Sequence, residues 1–167
     1  MNLGKFASDT SVSVEKSRAE IERILSRYGA ACFGYYCEPR RALIQFQIAD
    51  RRIQFILPIP DKDSKRYTEH SRGQRTDAAR WAMWEQDCRQ RWRALCLVIK
   101  AKLEAVDCGI TTLEEEFLAH IVLPDGRTVG QAAIPAIAEV YATGLMPRGI
   151  LMLPEPHPAA GKAGANL

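Results

Sequence analysis

Two runs of alternating apolar residues, 42–49 and 52–58, constrain this chain more than any other feature it carries. A period of two is the period of a strand. It gathers Ala42, Ile44, Phe46 and Ile48 on one face and Ile53, Phe55 and Leu57 on one face of the next run. With Asp50-Arg51 as a two-residue loop, Ile48 faces Ile53, Phe46 faces Phe55 and Ile44 faces Leu57. On the opposite face Gln47 then meets Gln54, and Gln45 meets Ile56. The aromatic-rich stretch 31–37, followed by the turn Glu38-Pro39-Arg40-Arg41, supplies a third strand. The expected sheet is a three-stranded antiparallel meander with one oily face and one glutamine-bearing face.

An oily sheet face must be covered, and two helical patterns are available for it. Ser13 is placed to cap a helix over 14–28, with Val14, Ile21, Ile24, Leu25 and Tyr28 on one side and Gly29 as its stop. Thr76 or Asp77 opens a second helix reaching to about residue 108. Trp81, Trp84, Cys88, Trp92, Leu95, Ile99, Leu103 and Val106 repeat there in steps of three and four. That stripe is about thirty residues, or about 45 Å, long. Aromatics at 81, 84 and 92 suit the stacking of bases in a single-strand binder, but their helical spacing favours packing on the sheet, and a stripe this long also predicts a homodimer. Glu85–Arg89 and Asp87–Arg91 have the i,i+4 spacing of ion pairs.

Between sheet and long helix, residues 61–75 read as a long polar loop. Thr112 and Glu115 form a capping box for a short helix whose Glu114, Glu115 and Glu116 suit the positive end of its dipole. Pro124-Asp125-Gly126-Arg127 is a turn between Val122 and Val129, and a last helix is expected over 135–143, ended by Gly144. The fold class is thus α+β: one helix, a three-stranded antiparallel meander, a long amphipathic helix and a small C-terminal helical segment. The organisation is a flexible arm over 1–12, a single domain over 13–145 and a loosely ordered tail over 146–167.

The 167 residues are 47% hydrophobic and 26% charged, enough for a buried core and unlike a disordered chain. No apolar run has the length to span a bilayer, and the first ten residues lack an apolar leader, so no membrane partner is expected. The five cysteines form no CxxC and read as small buried hydrophobes of a reducing compartment. His70, His120 and His157 stand apart from other metal ligands. No GxxxxGK[ST], GxGxxG or GxSxG occurs. No catalytic residue, metal or cofactor is therefore assigned.

What remains is charge. Residues 38–102 hold fifteen Lys/Arg against eight Asp/Glu, whereas 103–167 hold three against eight. A basic centre of this kind suits a polyanion. The candidate nucleic-acid contacts are Lys62, Lys65, Arg66, Arg72, Arg75, Arg89 and Arg93 on phosphates. The hairpin's Gln45, Gln47 and Gln54, beside Arg51 and Arg52, are the adaptable contacts. The rival reading is an inhibitor that docks on an acidic surface of a bacterial host or defence complex.

Several stretches carry a resemblance. These are Trp92-Arg93-Ala94-Leu95, Lys100-Ala101-Lys102-Leu103-Glu104-Ala105-Val106 and Glu116-Phe117-Leu118-Ala119-His120-Ile121-Val122-Leu123-Pro124-Asp125-Gly126-Arg127-Thr128-Val129-Gly130. With Ser13-Val14-Glu15-Lys16 and Leu57-Pro58-Ile59-Pro60, they resemble a family of small bacteriophage and prophage proteins. The resemblance implies a mobile-element origin and a bacterial cytoplasm, and it assigns no site residue. The order helix, three strands, long helix is also similar to the core of single-strand annealing proteins, an analogy of fold alone.

Overall fold

Ser13 caps the first helix as its place before an apolar stripe requires, its hydroxyl accepting from the Lys16 amide at 3.2 Å. A computed structural model describes residues 10–71 and 73–145. Helix α1 (Val14–Arg27) buries Ile21, Ile24 and Leu25, and Gly29 at φ +75° turns the chain out of it. Strands β1 (Ala31–Glu38), β2 (Arg41–Ile48) and β3 (Arg51–Pro58) then form an antiparallel sheet in the order β1-β2-β3.

The faces are those expected, but the register is not. Phe46 pairs with Ile53, Ile44 with Phe55, Gln45 with Gln54 and Gln47 with Arg52, and the loop is Ala49-Asp50. The offset from the expected pairing is two residues. An even slip keeps every side chain on its own face, so the hydrophobic pattern alone does not choose between the two registers. Ala49 takes φ +48° in this loop, while Arg51 becomes the first residue of β3. Strand β1 is regular against β2 from Gly34 to Glu38, with a bulge between Ala31 and Gly34 where Cys32 has φ +54°.

Residues 61–75, expected as a loop, contain the single-turn helix α2 (Lys65–Thr68) and a two-residue-per-strand hairpin, β4 (Glu69–His70) and β5 (Gly73–Gln74). Tyr67 makes the difference: its ring is buried and its hydroxyl donates to Asp87 at 2.6 Å. Asp87 also takes Arg66 at 2.9 Å, in place of the expected Arg91, whose guanidinium donates to the Pro58 carbonyl at 3.0 Å.

Helix α3 (Asp77–Asp107), capped by Thr76, buries Cys88, Trp92, Leu95, Cys96, Ile99 and Leu103. These meet α1 and the oily face of β2 and β3 in one core, closed by Phe117 of helix α4 (Leu113–Phe117). Phe117 stands edge-on to Phe46 and Phe55, at 6.1 and 6.2 Å between ring centres. Burying each such side chain is worth about 1.5–3 kcal/mol. The stripe fails at its N-terminal end, where Trp81 is 55% exposed and Trp84 half-buried. The cysteine expectation also needs correction: Cys88 and Cys96 are buried, whereas Cys32, Cys37 and Cys108 are exposed, and all five are free thiols.

The capping box of α4 is formed as expected, and its three carboxylates are structural. Glu115 closes the box with Thr112, Glu114 meets Arg51 at 3.5 Å and Glu116 meets Lys102 at 2.7 Å. A 3-10 turn, Leu118–His120, follows, and Ile121 bridges to Ile53 on the outer edge of β3. The Asp125-Gly126 turn closes on a bridge between Val122 and Thr128, with Gly126 at φ +87°.

Helix α5 (Val129–Thr143) starts six residues before the expected position and carries Pro135 inside it. Its second residue, Gly130, is buried, and a Cβ there would sit 2.8 Å from the Ala119 carbonyl oxygen. The chain divides into two compact units, residues 1–130 and 131–167. In the second, Gly144 at φ +70° ends α5. Of the expected arm, residues 1–9 lie outside the described residues, and the Thr10 carbonyl accepts from Gln86 of α3 at 3.0 Å. The tail over 146–167, with His157, lies outside them too.

Candidate nucleic-acid interface

Most of the basic side chains singled out from the sequence have a partner. Arg66 is held by Asp87 at 2.9 Å, Arg89 by Glu85 at 3.5 Å and Arg51 by Glu114 at 3.5 Å. Arg93 turns to Glu20 of α1 in a short ion pair. Arg75 donates from Nε to the Glu69 carbonyl at 3.1 Å. Arg72 lies outside the described residues. Lys62, Lys65 and Arg52 have no ion pair among the described residues. The glutamine face is partly self-satisfied, because Gln45 donates to Gln54 across the β2–β3 pair and Gln54 is buried. Gln47 remains exposed opposite Arg52.

A different constellation emerges where the α3 stripe runs off the sheet. Trp81 and Trp84 lie 5.0 Å apart between ring centres, inclined at 39°. Trp84 is fixed by its indole N–H, which donates to the Pro60 carbonyl at 2.8 Å, leaving its faces to line a cleft. Two adjoining grooves of about 430 Å³ each share Pro39, Trp81 and Trp84. One is lined further by Val14, Arg18, Cys37, Ile59, Cys88 and Trp92. The other takes in Arg40, Pro60, Asp61, Lys62 and Asp63.

Arg18 enters the first groove from α1. Its guanidinium lies 4.4 Å from the Trp92 ring centre and 4.7 Å from that of Tyr35, positions that favour a cation over an aromatic face. Its Nη2 donates only to the Cys37 sulfur, at 3.3 Å, and its buried Nε has no hydrogen-bond partner. A buried donor without an acceptor costs about 1–3 kcal/mol, so this guanidinium is an incompletely satisfied cation in an aromatic cleft.

The acids around the grooves are mostly occupied. Arg41 holds Glu38 below the usual carboxylate range through two hydrogen bonds, and Asp61 is paired with Arg40 at 2.6 Å. Glu85 is paired with Arg89, and Asp63 lies 4.0 Å from Arg80. Glu15 is held low first by its own backbone amide and then by Ser13 and the Arg18 charge. Among the described residues, Arg18 and Lys62 are the groove cations without an ion pair, one on each side of the tryptophan pair. Burial raises the Cys88 thiol to about 11, so at neutral pH it adds no charge to the cleft.

Among the described residues, no group of three His, Cys, Asp or Glu is placed to hold a metal ion. No helix there is long and apolar enough to cross a membrane. Trp81 reads from the sequence as packing on the sheet in preference to a platform for bases, and Arg18 was not legible as a site residue. The first sits on a faultless helical stripe, and the second is one cation among the alternating charges of α1. No family model matches the chain, and neither a curated protein nor a solved structure matches it.

Proposed function

We propose that this chain is a non-catalytic binding protein for nucleic acid, and that it takes up single strands across the Trp81–Trp84 pair. Proteins that hold single strands without sequence readout combine aromatic platforms for the bases with cations that follow the backbone. The observation that carries the reading is the inclined tryptophan pair, Trp81 exposed and Trp84 half-buried, between two grooves that each hold one cation without an ion pair. A duplex keeps its base faces stacked inside and offers the pair nothing to stack on. In keeping with the phage-like resemblance, the reading places the protein among the DNA-transaction factors of a mobile element in a bacterial cytoplasm.

The arithmetic differs from that of a broad basic face. Seven free cations would give a steep salt dependence, whereas two phosphates neutralised by Arg18 and Lys62 give log K against log salt a slope of about −1.4 for a single strand. Titration of the protein with oligo(dT), followed by tryptophan fluorescence at low salt, is the test. Quenching with that shallow slope, reduced about tenfold or more in affinity by Trp81→Ala, is the expected result. Absence of quenching at low salt, or equal affinity for single strands and duplex, overturns the reading and leaves the acidic-partner inhibitor as its rival.

A further inference from the structure

The two edges of the main sheet are treated differently. The outer edge of β3 is occupied: Ile121 bridges Ile53, the Val122 amide donates to the Arg52 carbonyl at 2.8 Å, and Pro58 has no amide to offer. Strand β1 pairs with β2 on one side, and no strand pairs with its other side among the described residues. Natural sheets blunt such an edge with lysine, proline, a bulge or a covering segment. The bulge between Ala31 and Gly34 confines the regular part of this edge to Gly34–Glu38. From Ala31 to Cys37 there is neither a charge nor a proline. Tyr35 is 51% and Tyr36 61% exposed, although both lie in an eight-residue strand.

We infer that the free edge of β1 is the interface for a second copy of this chain, joined antiparallel about a two-fold axis into one six-stranded sheet. Three features select a second copy over another occupant. About Tyr35 the uncharged residues 33–37 lie against themselves and meet no like charge, and backbone pairing needs no other complementarity. With one edge covered and one free, the association closes at two copies, where two free edges would propagate a filament. Gly34 leaves open space on the outer face of the strand, with nothing within 4 Å of where a Cβ would stand. A two-fold axis through Tyr35 lays the exposed ring of Tyr36 over Gly34 of the second copy, an arrangement in which an aromatic side chain covers a strand glycine.

This assignment replaces the α3 stripe as the reason to expect a homodimer, because α3 spends Cys88 through Leu103 on the core of its own chain. The edge borders the first groove, which Cys37 lines and where Arg18 lies against Tyr35, but the two readings are tested apart: quenching by single strands reports on the tryptophan pair, and amide exchange on the edge.

Sedimentation equilibrium of the full chain, with hydrogen exchange measured at low and high protein concentration, tests it. The expected result is a monomer–dimer equilibrium in which the amides of residues 33–37 slow as the dimer forms. Tyr36→Lys places a charge on a side chain that projects from the strand, and should weaken the dimer about tenfold or more while leaving the circular dichroism unchanged. A chain that stays monomeric up to its solubility limit overturns the inference. So does a dimer whose residue 33–37 amides exchange as fast as in the monomer, or one that Tyr36→Lys leaves intact. Should Tyr36→Lys fail to fold, the concentration dependence of the wild-type amides decides the matter alone.

Discussion

Tyr67 donates a 2.6 Å hydrogen bond to Asp87 Oδ2, and Arg66 reaches the same oxygen at 2.9 Å. The phenol and the carboxylate are both buried, at 2% and 8% exposure, while the guanidinium side chain is 53% exposed. Burial, then the bond to Asp87, raises the Tyr67 hydroxyl to about 12, so it stays a donor throughout the working range. This bond anchors the polar 61–75 segment to α3.

The two partners of Asp87 should therefore be unequal. Tyr67→Phe removes a bond to a buried charge and should cost about 1.5–3 kcal/mol. Arg66→Ala removes a half-exposed ion pair and should cost under about 1 kcal/mol. Urea denaturation of both variants reads the difference directly. A larger loss for Arg66→Ala would mean that the ion pair, and not the phenol, holds the segment down.

What could be read from the sequence was what depends on near neighbours. The caps at Ser13, Thr76 and Thr112, and the stop at Gly29, are set within three or four residues and stand where the residue types place them. Face assignment in the hairpin was legible for the same reason, since alternation is local. Pairing was not, because a slip of two residues leaves the alternation unchanged. The stripe of α3 carried no mark of where the surface beneath it ends, and Trp81 lies past that end. Charge balance was legible only as a total. Arg93 finds Glu20 across 73 residues and Arg66 finds Asp87 across 21, partnerships that only the fold brings about. Arg18 was hidden for that reason: it stands out only once the charges around it are paired.

The slipped register leaves a testable trace at Ala49. Its φ of +48° lies in the left-handed region, which costs a residue with a Cβ about 1–2 kcal/mol. Glycine has no such penalty but loses more freedom on folding, by about 0.5–1 kcal/mol. Ala49 is exposed, so its methyl adds little packing to offset the strain. Ala49→Gly should thus raise stability by up to about 1 kcal/mol, measured as a higher urea midpoint at unchanged slope. Under the alternative loop Asp50-Arg51, position 49 would be an ordinary strand residue and the same substitution would destabilise. The sign of the change therefore distinguishes the two registers.

His120 gives the fold a pH dependence with a defined direction. Its ring stacks on Phe55 with 4.0 Å between centres at 25°. Burial lowers its pKa from the ordinary value, the nearby Lys102 charge lowers it further, and a hydrogen bond with the Gln54 backbone opposes both. In the folded chain the ring therefore resists a proton that it accepts once unfolded. Because the unfolded state binds more protons here, stability rises with pH across the titration. The contribution is complete above the unfolded histidine pKa of about 6.5, and it is lost as pH falls from there towards the lower folded value. The carboxylates with lowered pKa, Glu15, Glu38, Glu115 and Asp125, act in the same direction but only below about pH 5, in the range of unfolded carboxyls. Between about pH 7.5 and 5.5 the wild-type chain should lose stability, and His120→Gln, whatever its own offset, should lose less across the same interval. An unchanged slope in the variant would show that the ring on Phe55 takes its proton as readily folded as unfolded.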